Sequence, residues 1–158
     1  MKPVIAYLSG ALALSMAVAT SAAAQPVAHE NYLDAPQTPG DWSYGSESSE
    51  TLAMFGDKGP DHLVVMRCDR KTRVVGIARR SDATRSLMMR IRTETTDRIL
   101  TANPVAGRTL VSAFLPASDP LLDAMAISKG RIAIEVEGMP ALYVPSWVEI
   151  TRVIEDCR

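Results

Sequence analysis

The chain has 158 residues, with 17 Lys and Arg against 18 Asp and Glu, 47% apolar residues, 5% aromatics and two cysteines. That is the composition of one ordinary globular domain, and it excludes a repeat array, a disordered tail protein and a disulfide-dense scaffold. A net charge of −1 gives no global positive field to capture phosphates, so no nucleic-acid partner is expected.

Lys2, the nearly unbroken apolar run Val4–Ala19 and the small residues Ser21–Ala24 follow the order of a secretory signal, predicting cleavage after Ala24. The apolar run is shorter than the roughly 20 residues that cross a bilayer, and no basic stop-transfer cluster follows it. No cysteine lies near the cleavage site, so no lipid is attached there. The expected location is periplasmic or secreted, without a membrane span after cleavage. The mature chain keeps 16 basic and 18 acidic residues, a charge of −2.

Residues 25–40 carry three prolines and Gly40 with few apolar side chains, which predicts a flexible leader. From Asp41 onward short apolar runs alternate with turn signals, the pattern of a single antiparallel β-sandwich or partly closed barrel over residues 41–158. Thr51–Phe55 is a strand candidate. His62–Asp69 and Lys71–Arg80 are two more, joined by a tight hairpin at Asp69–Lys71. In Ser86–Arg92 the residues Leu87, Met89 and Ile91 alternate inward. Arg98–Ala102 and Arg108–Leu115 follow. Asp119, as an N-cap before Pro120, predicts a short helix near 120–128 with Leu121, Leu122, Met125 and Ala126 on one stripe. Arg131–Glu137 is the clearest strand, with Ile132, Ile134 and Val136 inward and the alternate residues, Ala133 among them, in water. Ala141–Val144 brings the number to seven or eight. A helix near 146–157 begins with the capping box Ser146-x-x-Glu149 and carries Trp147, Ile150, Ile154 and Cys157 on one stripe.

In an oxidising compartment two cysteines in a small domain predict a bridge, Cys68 to Cys157, closing a loop of about 90 residues. By chain entropy such a loop contributes roughly 4–5 kcal/mol. A nucleophilic thiol would need a base, for which only His29 and His62 exist, and two cysteines so far apart match no zinc spacing. No metal site and no cofactor are expected.

A leading Trp42 strand, a strand carrying Leu63, Val65 and Cys68, an Arg-bearing strand, a late strand-rich region and a terminal helix ending in Cys157 together resemble the periplasmic VasI-like family associated with type VI secretion. The resemblance spans roughly residues 41–157. It implies a small disulfide-bonded β-sandwich of the envelope without catalytic activity. Residues 92–110 depart from it, lacking that family's Trp-containing segment. The start Gly40-Asp41-Trp42 is also similar to that of invasion-associated locus B proteins, and nothing further is carried over from it.

Charge is uneven: residues 67–98 hold ten bases, nine of them Arg, against four acids. Arg suits carboxylate and phosphate oxygens. Arg90 and Arg92 share one strand face, and Arg67 and Arg73 join them if neighbouring strands pair in register, giving a candidate anion-binding face. The alternative is that these arginines pair across strands with acids such as Glu47, Glu50, Asp57, Glu135 and Glu137. His62 beside Asp61 is a candidate acid–base group, Asp119 and Asp123 are better read as a helix cap and a solvated first-turn charge than as paired carboxylates, and no nucleophile elbow, metalloprotease motif or phosphate loop occurs. The expected function is a non-enzymatic exported envelope protein acting by binding or scaffolding on an envelope protein or an anionic envelope component. The alternatives are an anion-binding module using the Arg face and a small hydrolase using His62.

Overall fold

The computed structural model describes residues 31–57 and 59–158. The expected signal peptide at 1–24, the first part of the leader and His29 lie outside the described residues. Nine strands and two helices follow in order: β1 (Asp41–Ser46), β2 (Glu50–Gly56), β3 (Val64–Asp69), β4 (Val74–Arg80), β5 (Leu87–Arg92), β6 (Asp97–Pro104), β7 (Leu110–Pro116), α1 (Pro120–Ala126), β8 (Arg131–Val136), β9 (Leu142–Pro145) and α2 (Val148–Asp156). All strand pairs are antiparallel, in one sheet of order β1-β2-β3-β4-β7-β6-β5-β8-β9. The fold is mainly β, as the sequence pattern predicts, and β1 adds a strand to the expected number.

One apolar cluster takes residues from every strand and both helices, so the sheet curls around a single core. β6 turns the corner. Its residues 97–102 pair with β5, and Asn103 and Pro104 pair with β7. The sheet is not closed into a barrel. Its two edges meet through a side chain, the Trp42 indole N–H donating to the carbonyl of Pro145 at 2.8 Å.

Alternation places Val64, Met66 and Cys68 of β3 in the core, and Cys68 is bonded to Cys157 with the Cα atoms 5.5 Å apart. α2 is thereby fixed over the inner faces of β1, β2 and β3. Ile150, Val153 and Ile154 are its fully buried residues. The expected stripe shifts here, because Trp147 is 42% exposed and Val153 takes the inward place. The capping box is also absent. The Ser146 hydroxyl donates to the carbonyl of Met125 at 2.8 Å and ties α2 to α1, leaving Trp147 as an N-cap without a side-chain bond. At α1 the sequence reading holds, with Asp119 accepting from the N–H of Leu121 after Pro enters the first turn.

Two further expectations change. β4 starts at Val74 because residues 70–73 form the turn. Asp69 accepts from the backbone N–H groups of Lys71 and Thr72 at 3.0 and 3.1 Å, and Arg73 takes a positive φ of 56°. The later part of the expected leader lies against the sheet. Tyr32 and Ala35 bury against Ala133 and Tyr143, and Thr38 exchanges hydrogen bonds with the backbone of Tyr143. That packing takes Ala133 out of water. It also covers the outer edge of β9, an exposed ladder that would otherwise invite pairing with another chain.

Ile154→Ala should lower stability by about 2–5 kcal/mol through the cavity it leaves. Trp147→Ala should cost less than about 1 kcal/mol, since its ring is largely outside the core. Denaturant unfolding measures both. Equal losses would place Trp147 under the helix after all.

Candidate binding groove on the outer sheet face

Cys68 and Cys157 are joined, but the four candidate anion-binding arginines are not brought together. Arg67, on β3, pairs with Glu50 of β2. Arg73 lies in the turn, off any strand face, and its Nε donates to the carbonyl of Cys157 at 3.3 Å. Three strands separate Arg67 from Arg90 and Arg92 on β5. Those two share a face with Asp97 of β6 and Glu135 of β8: Arg90 holds Asp97 through two hydrogen bonds, and Arg92 lies 3.2 Å from Glu135. The tyrosine ring of Tyr32 lies against the Arg92 guanidinium, 4.9 Å from ring centroid to Cζ. The arrangement is a cross-strand ion-pair ladder, the acid pairing that the Arg-rich stretch allows.

The ladder holds its carboxylates down. The hydrogen bond from Arg90 keeps Asp97 below the ordinary carboxylate value. Burial raises Asp119, but Arg98 and the Leu121 N–H outweigh it and leave Asp119 low as well.

On the same outer side, β2, β3, β4 and β7 present a different surface. Register sets two rows across these four strands: Met54, Val65, Ala78 and Ser112, and next to it Leu52, Arg67, Gly76 and Phe114. A groove of about 550 Å³ runs over them. Its floor is low because Gly76, Ala78 and Ser112 are small. A Cβ on Gly76 would lie 3.1 Å from Cε1 of Phe114, so the glycine lets that ring lie close over the strand. Phe114 is itself 57% exposed. Polar groups gather at one end. His62 and Asp61 come from the β2–β3 loop, Arg80 from the end of β4 and Arg108 from the β6–β7 loop. Arg80 lies 3.2 Å from Asp61. Its neighbour Arg79 turns the other way, into the core, where its Nη1 donates to the carbonyl of Leu63 and burial lowers its pKa to about 10.

His62 thus lines the groove beside Asp61 and on the same surface as Ser112. Among the described residues its ring makes no hydrogen bond, and the Ser112 hydroxyl is bonded to the carbonyl of Ile77 at 3.3 Å. No base–nucleophile pair is formed. Among the described residues no group of three His, Cys, Asp or Glu is placed to hold a metal. No helix there is long and apolar enough to cross a membrane.

The groove itself was not anticipated from sequence. Its signal was present in Leu63–Met66 and Val74–Ala78, which are apolar at consecutive positions. Such runs mark strands covered on both faces. Comparison with family models, with curated proteins and with solved structures returns no match.

Asp97 and Asp119 have folded pKa values below their unfolded ones, so their stabilising contribution is full above the unfolded value of about 3.9 and is lost as pH falls through the folded values. Unfolding at stepped pH should therefore show stability declining below about pH 4, and Arg90→Gln should flatten the decline. An identical acid limb in that variant would mean that Arg90 does not hold Asp97. Reversing both Arg90 and Arg92 to Glu should destabilise the fold measurably, because like charges then face each other across the strands.

Proposed function

We propose that this is a non-enzymatic exported envelope protein that acts by binding, and that the groove over β2, β3, β4 and β7 is its binding surface. The observation that carries the reading is the apolar outer face. Outward apolar residues also occur on β5 and β6, at Met88 and Ile99, but this half gathers Leu52, Met54, Val65, Ala78 and Phe114 into a groove around a floor of small residues. Its volume is within the range of small-molecule sites, about 300–1,000 Å³. Compartment is part of the proposal and rests on the signal-like start of the sequence, with which the Cys68–Cys157 bridge agrees. The likeness to the VasI-like family, a non-catalytic envelope sandwich, supports the same reading.

The test uses the mature chain and a neutral apolar dye, Nile red. Saturable binding is expected for the wild type and should be lost in Ala78→Phe, which fills the floor. Leu52→Lys, on the solvent side of the groove wall, provides a second variant that leaves the core untouched. Dye binding unchanged in both would overturn the groove as the binding surface. Turnover of an ester, amide or glycoside that disappears in His62→Ala would overturn the non-enzymatic reading.

A further inference from the structure

We infer that the groove takes a single-chain anionic amphiphile, a free fatty carboxylate, with its chain over Gly76 and Ala78 and its head at Arg108. The inference rests on the groove being the binding surface and adds the chemistry of its occupant.

Three observations narrow that chemistry. The first is the state of the backbone. β2, β3 and β4 are each paired along their length on both sides, and β7 along its length with β4, so the N–H and C=O groups under the groove floor are used within the sheet. An extended peptide laid across this face would find no ladder for its own backbone, and each group it buried there unpaired would be costly. An alkyl chain has no such groups to satisfy.

The second is size. A groove of about 550 Å³ fits one chain and a small head better than a two-chain lipid. Its floor runs about 13 Å along β4 from Arg80 to Gly76, at about 3.3 Å per residue. Phe114 lies over Gly76 at the other end of that floor, a length that suits a chain of medium size.

The third is charge. Arg67 is engaged by Glu50 and Arg80 by Asp61, while Arg108 has no ion-pair partner among the described residues and lines the groove. Arg80 pairs in register with Leu110, two residues beyond Arg108, so both guanidinium groups belong to the same end. One open guanidinium at the end of an apolar trough complements one carboxylate, which Arg binds through parallel N–H donors.

Displacement of Nile red from the mature protein by decanoate and by decanol, each below its aggregation threshold, tests this. Decanoate should displace the dye at a concentration about ten-fold or more lower than decanol, the difference expected of a charge-assisted hydrogen bond. Arg108→Glu should abolish that preference while leaving displacement by decanol unchanged, and Arg108→Lys should retain part of it. Raising the salt concentration should narrow the gap in the wild type. Equal displacement by the two ligands, or by neither while the dye still binds and Ala78→Phe removes it, would overturn the fatty carboxylate and leave the groove standing. Failure of the dye to bind the folded wild type would overturn the groove itself.

Discussion

The Cys68–Cys157 bond sets which side of β3 faces the core. A strand alternates with period two, so a bond from Cys68 to the helix inside commits Val64 and Met66 to the interior and Val65 and Arg67 to the exterior. Cross-strand register passes that choice to Leu52 and Met54 on one side and to Gly76, Ala78, Ser112 and Phe114 on the other. A slip of one residue would exchange the two faces. The covalent link, which spans 89 residues of sequence, thus stabilises the fold by constraining the unfolded chain and also determines the surface shown to solvent.

The outer side of the sheet has two different halves. Around β5, β6 and β8 the outward residues neutralise one another, with Arg90 and Arg92 held by Asp97 and Glu135. The more exposed of these, Arg90 with Asp97, adds little stability, and the charges are interleaved with the exposed side chains of Met88 and Ile99. Around β2, β3, β4 and β7 the outward residues are mostly apolar or small, with the Glu50–Arg67 pair among them. The edges are managed separately, β9 by Thr38 and by the Trp42 indole.

Much of the fold was legible in the sequence because it rests on local rules. The alternation in Ser86–Arg92 and Arg131–Glu137 and the Asp119-Pro120 helix start are read from spacing alone. Ser146 was misread for a tertiary reason, since the carbonyl of Met125 from α1 claimed the hydroxyl that the capping box needed. Trp147 followed, because without that cap the helix starts later and Val153 faces the core. Ala133 and the leader were missed together, since what buries Ala133 is a segment about a hundred residues earlier in the chain. The Arg face was partly legible. Arg90 and Arg92 do share a face, but strand order, which periodicity does not encode, puts three strands between them and Arg67. For the groove, the double-sided apolar runs were visible, and their meaning depended on which strands become neighbours.

The central claim is that the apolar outer face of β2, β3, β4 and β7 is the working surface of the molecule. Amide and methyl chemical-shift mapping of the isotope-labelled mature protein during titration with decanoate tests it most directly. The account predicts perturbations concentrated at Leu52, Val65, Gly76, Ala78 and Arg108, with β5 and β8 unmoved. Perturbations confined to Ile127, Trp147 and Val148 at the junction of the two helices, or to the Arg90–Arg92 ladder, would contradict it.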